Sequence, residues 1–238
     1  MTTITNNFEE GSGILGTQVN NGNSGGTGNQ PVDFVVNGTG ASTVYDSTHA
    51  AHGTVSAKGV TGSPTGAGCI GWNATSIPSA TQKWFRIYAY LTANPAATFS
   101  LMEMLSATTQ AAALQITTSG FLQYVDSAAA TILTGAVAIP LNAWWRVEGF
   151  VIASATVGQV EYKLYKTPDS TSPDETKTSA ATQNTNTALV QHRMGPYAQN
   201  TLNGPAMWID DIGVSNTGYI GPAASPAANA ALLPALFP

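Results

Sequence analysis

The sequence predicts an all-β protein, an antiparallel β-sandwich, on three observations: period-2 alternation, turn signals at short regular spacing, and almost no helical pattern. Residues 83–91, KWFRIYAYL, put Trp84, Arg86, Tyr88 and Tyr90 on one side and Phe85, Ile87, Ala89 and Leu91 on the other, as a strand requires. The run 98–105, TFSLMEML, alternates in the same way behind a turn at Asn94-Pro95. Segments 111–117 and 121–126 flank Thr118–Gly120 and predict a hairpin. WWRVEGFVI (144–152) and GQVEYKLY (158–165) repeat the pattern around another turn. Turn signals about 8–12 residues apart belong to a sandwich. The polar runs 20–30 and 167–187 are predicted loops.

A length of 238 residues suits one large β-domain. Charged residues make up 9% of the chain, against a usual share of about 25%, so solubility rests on hydroxyls and amides. A surface so poor in charge is easily covered by another subunit, because few ions must be desolvated, and it is compatible with a homo-oligomer. A net charge of −5 with no Lys/Arg cluster argues against nucleic acid and anionic membrane as partners. No apolar run approaches the roughly 18 residues of a membrane span. The first residues, MTTITNNFEEGSG, lack the basic and apolar regions of a secretory signal. The single cysteine, Cys69 in GAGCIGW, predicts packing in a buried strand.

The predicted sandwich covers residues 1–220. Residues 221–238, GPAASPAANAALLPALFP, form a Pro/Ala-rich tail whose four prolines forbid a continuous helix. It is expected to run extended. Its apolar end, Leu232, Leu233, Leu236 and Phe237, predicts docking onto a partner or back onto the sandwich, since each buried Leu or Phe contributes about 1.5–3 kcal/mol.

Several segments together carry a family likeness: NNFEEGS at the start, HAAHGTVSAKGV, NAWWRVEGFV followed by GQVEYKLY, and WIDDIGVSNTGYIGP at the end. The chain resembles the laminin-G and concanavalin-A-like jelly rolls, as found in actinobacterial proteins and in structural proteins of tailed phages. The likeness spans most of residues 5–221. It implies a fold that hosts lectins, glucanases, lyases and plain structural modules. It also implies that the first and last strands meet, so that Glu9 and Glu10 of Phe8–Gly11 approach Asp210 and Asp211 at a structural calcium.

Side chains alternate along a strand, so the doublet Asp210-Asp211 should send one carboxylate at least partly inward. Burying it unpaired costs several kcal/mol. A metal, a basic partner or backbone N–H donors could each compensate. Calcium takes six to eight oxygens, and the chain is short of Lys and Arg.

Catalytic patterns are not found. Glucanases of the resembled fold carry a Glu-x-Asp-x-Glu triplet, which this sequence lacks; Glu103 and Glu148 stand alone and are expected on polar strand faces. His49 and His52 lie in a predicted loop with only Asp46 near in sequence, and His192 is isolated. No Gly-x-Ser-x-Gly elbow or phosphate-binding loop is present. The expectation is a non-enzymatic virion protein of a tailed phage, a capsid decoration or minor tail component, assembled with other virion proteins in the host cytoplasm. The alternative is a lectin-like module that binds cell-surface glycans through Trp72, Asn73, Trp144 and Trp145. In the adjacent pair Trp144-Trp145, a regular strand turns one ring away from the core.

Overall fold

The computed structural model describes residues 2–38, 40–60, 68–197 and 206–223. Residues 232–237, where docking was expected, lie outside these, as does most of the tail. In chain order the strands are β1 (Thr3–Asn6), β2 (Phe34–Asn37), β3 (Ser42–Asp46), β4 (Ser56–Val60), β5 (Gly68–Trp72), β6 (Gln82–Leu91), β7 (Phe99–Ser106) and β8 (Thr109–Ile116). There follow β9 (Phe121–Val125), β10 (Thr131–Ala138), β11 (Trp144–Ile152), β12 (Gln159–Tyr165), β13 (Glu175–Thr178), β14 (Gln191–Tyr197) and β15 (Met207–Ser215).

They form two antiparallel sheets, as the alternation predicts. One runs β13-β12-β11-β6-β15-β4-β3, with β1 also on β15; the other runs β10-β9-β8-β7-β14-β5-β2. The core lies between them. Phe85, Ile87, Ala89 and Leu91 of β6, with Trp145, Val147 and Val151 of β11, meet Phe99, Leu101, Met102 and Leu114 of the facing sheet in one buried cluster. The predicted hairpin is β8–β9, and Cys69 is fully buried in β5.

Five strands, β2, β3, β10, β13 and β14, escaped the sequence reading. The predicted loop 167–187 contains β13, four residues long, and β10 went unassigned; both are edge strands with half-exposed residues, where alternation carries little apolar contrast.

The first and last strands do meet: Thr3 pairs with Ser215 and Asn6 with Ile212. The stretch Phe8–Gly11 is not part of a strand, however. Phe8 takes a left-handed conformation (φ 60°) and opens a 3-10 turn over Glu9–Gly13. The turn drops the Phe8 ring into the core and lets the chain pass against Tyr45. A Cβ at Gly11 would stand 2.0 Å from the Tyr45 ring, which is why only glycine fits.

Gly11→Ala should therefore destabilise the protein by about 1–3 kcal/mol, the usual cost of overpacking, measured as a lower midpoint in urea unfolding. An unchanged midpoint would show that Tyr45 moves aside freely.

Candidate functional site

The eight-stranded sheet has a second face, turned away from the core. Cross-strand register stacks its side chains in three rows over β15, β6 and β11: Trp208, Tyr90 and Trp144; then Asp210, Tyr88 and Arg146; then Gly213, Arg86 and Glu148. The first row is aromatic. The ring of His49, from the loop after β3, stacks on Tyr90 at 4.1 Å and meets Trp208 edge-on at 4.5 Å. Trp144 lies 5.7 Å from Tyr90, and both are partly exposed. Trp208 donates from Nε1 to Asp46 (2.9 Å), and Lys58 lies over its indole.

The second row is polar and mostly covered. Tyr88 donates its hydroxyl to Asp169 (2.8 Å) and accepts the Ala223 N–H (2.8 Å). Burial pushes its phenol up to about 12. Arg146, 1% exposed, donates to the Ser170 carbonyl (2.8 Å) and lies over the Tyr165 ring. Its Nε stands 3.3 Å from Glu148 Oε1, an ion pair without the alignment of a hydrogen bond. In the third row Arg86 donates to two backbone carbonyls, those of Asp211 (2.8 Å) and Gly221 (3.0 Å). Residues after β15 thus cross back over this face.

The aspartate doublet is placed by a bulge. Asp210 pairs with Tyr88 and Gly213 with Arg86, so three steps on β15 match two on β6. The extra residue is accommodated by Asp211 in the left-handed region (φ 43°). Strict alternation predicted one carboxylate turned inward; instead Ile209 and Ile212 take the core positions and both aspartates meet the loop between β3 and β4. Asp210 Oδ2 accepts the N–H groups of Ala51 (2.9 Å) and His52 (3.4 Å), and its Oδ1 accepts that of Asp211 (2.8 Å). Burial raises the Asp210 carboxyl well above the usual range; the neighbouring Asp211 charge adds to this and the three N–H donors oppose it. Asp211 Oδ2 lies 2.5 Å from His52 Nδ1, and Asp169 Oδ2 lies 3.2 Å from His52 Nε2.

Glu9 holds the other end of the same loop, accepting the N–H groups of Thr54 and Val55 (both 2.8 Å). Glu10 turns elsewhere: Oε1 accepts from Asn29 (2.5 Å), and Oε2 is buried without a donor. Calcium shared by Glu9, Glu10, Asp210 and Asp211 does not fit this arrangement. Both oxygens of Glu9 and of Asp210 already take protein donors. Among the described residues no group of three or more His, Cys, Asp or Glu is placed to hold a metal ion. Backbone N–H groups and a histidine are the compensation found.

The other candidates separate in the same way. Trp144 is the outward member of its pair. Trp145 is not a platform: it faces inward and is fully buried. Nor is Trp72, which is fully buried in a strand covered on both sides and donates its indole N–H to the Pro31 carbonyl. Asn73 serves the turn after β5, accepting the Thr75 N–H while its own N–H goes to Asp33. Glu103 and Glu148 are buried rather than on wet faces; Glu103 stands 3.3 Å from Arg193. His52 was missed because its acids lie 117 and 159 positions along the chain, beyond any local pattern.

These features define a β-sandwich protein of jelly-roll-like fold with a polar sheet face edged by aromatic rings. No family model matches the sequence, and no curated protein matches it. Among solved structures it is similar to the cellulose-induced protein Cip1: TM-score 0.54, 19% identity, over 74% of this chain and 86% of that one. Lower similarity extends to a GH43 glycoside hydrolase (TM-score 0.49, 8% identity, 72% of this chain and 36% of that one). It extends also to a Trypanosoma rangeli sialidase (TM-score 0.44, 11% identity, 87% of this chain and 35% of that one). The chain therefore spans about a third of the hydrolase and of the sialidase.

The His52 pair predicts a pH dependence. Burial alone disfavours the imidazolium, but Asp211 and then Asp169 outweigh it and hold the His52 pKa above its ordinary value. A pKa raised on folding stabilises below the unfolded value, and the stabilisation is lost as pH rises through the folded one. Between about pH 5.5 and pH 8.5 the melting midpoint of the native protein should fall more than that of His52→Gln. Equal falls would show that the pair is not charged.

Proposed function

We propose that the protein binds a glycan on the outer face of its eight-stranded sheet, with Trp144 and Tyr90 as the stacking surface. The observation that supports this best is the row Trp208–Tyr90–Trp144, extended by His49, drawn in one line across three strands and bordered by hydrogen-bonding side chains. A sugar ring offers an apolar C–H face and a rim of hydroxyls. Ligand sites of this kind pair aromatic surface with a few fixed polar groups. Both rings stand on ladder-paired residues and are tied by neighbouring rings, so little side-chain freedom is lost on binding.

The carbohydrate-related proteins of similar fold favour this over the virion role expected from the sequence. That role drew on the apolar tail, which lies outside the described residues. The proposal is one of binding alone and includes no bond cleavage.

Trp144→Ala should weaken glycan retention by about 0.5–1.5 kcal/mol, up to tenfold in affinity, read by affinity electrophoresis against a set of soluble polysaccharides. Its melting midpoint should stay close to that of the native protein, because the ring is outside the core. Retention that is unaltered by Trp144→Ala and Tyr90→Ala together would reject the aromatic row as the site.

A further inference from the structure

Beside the third row lies a hollow of about 370 Å³. Its walls are amide and hydroxyl side chains, Thr5, Asn7, Thr27 and Asn29, and it is bounded by Arg86, Asp211 and Ala223. Arg86 is 5% exposed. The other two arginines each stand 3.3 Å from a buried glutamate, Arg146 from Glu148 and Arg193 from Glu103. Arg86 has no carboxylate within 4 Å among the described residues; its two hydrogen bonds go to neutral carbonyls.

A buried guanidinium cannot discharge, in contrast to a lysine, and needs a counter-charge or several acceptors. Asp211 contributes its carbonyl oxygen, while its carboxylate faces His52. Eight Lys and Arg residues serve the whole chain, and one of them borders an open polar hollow with Asp211 and Glu148 near enough to attract it but neither in a direct ion pair with it. The direct partner that fits there is a ligand's carboxylate, which an arginine meets in a charge-assisted pair. The surrounding amides and hydroxyls match the hydroxyl groups of a sugar.

We infer that the hollow beside Arg86 is a subsite for the carboxylate-bearing ring of an acidic saccharide. The inference rests on the glycan-binding reading above and names its ligand class. Along β6, Arg86 lies four residues from Tyr90, about 13 Å at the strand rise, so a saccharide that spans both sites passes over Asp169 and Ala223, which cover Tyr88 between them.

Titration calorimetry of the full chain with glucuronate oligosaccharides, neutral gluco-oligosaccharides of equal length, and sodium sulfate tests this. The acidic saccharide should bind at least about tenfold more tightly than the neutral one, as a charge-assisted pair provides. Sulfate should compete only weakly. Arg86→Gln should remove the preference. Because Arg86 also ties two backbone carbonyls, Thr27→Glu provides a second variant: the residue is exposed, the fold should hold, and an acid on the wall should repel the ligand at least about tenfold. Equal binding of acidic and neutral saccharides, a preference that survives both variants, or sulfate competing as well as glucuronate would each overturn the subsite. Neutral saccharide bound and lost in Trp144→Ala would leave the aromatic row standing without it. Glucuronate bound equally by Trp144→Ala and the native protein would keep the subsite and remove the aromatic row.

Discussion

The outer face depends on one constraint, the change of neighbour along the open edge of β15. Its first half pairs with β4 through Met207–Ile209, and its second half with β1 through Ile212–Ser215. Between the two lies a stretch where no ladder partner is available. A regular strand there would leave backbone groups unpaired, at a cost comparable to lost hydrogen bonds. The bulge at Asp210–Asp211 fills the gap with two carboxylates and a freed carbonyl. The loop between β3 and β4 folds into the same space, its N–H groups aimed at Asp210 on one side and Glu9 on the other.

Other features of the face follow from that junction. The loop held by Glu9 and Asp210 delivers His49 to the aromatic row and His52 to the polar one. The carbonyl released by the bulge anchors Arg86. The returning segment after β15 then places Gly221 on Arg86 and Ala223 on Tyr88. Aromatic surface and fixed charge thereby end up on one rigid sheet, the arrangement by which a binding site keeps its geometry before the ligand arrives.

Much of the fold was legible in residues 83–91, 98–105 and 144–165, because a half-buried strand must alternate and these do. Alternation also required one ring of Trp144-Trp145 to face outward, and the structure shows that it is Trp144. It misled at Asp210-Asp211, where the period of two is broken by an inserted residue. It was silent about β10 and β13, whose edge positions demand little hydrophobic contrast, and about β2, β3 and β14. Trp72 beside Asn73 resembled a loop platform, yet β5 lies where both faces are covered.

The sequence by itself determined that this is a two-sheet β protein, poor in charge, with rings on one side of two central strands, because period and composition are local properties of the chain. Only the tertiary structure decided which acids meet which bases. His52 with Asp169 and Asp211, Arg86 with a carbonyl far along the chain, and Glu9 with Thr54 are contacts between distant segments. They are set by sheet order and by one bulge, and ladder pairing of remote strands leaves no trace in the residues on either side.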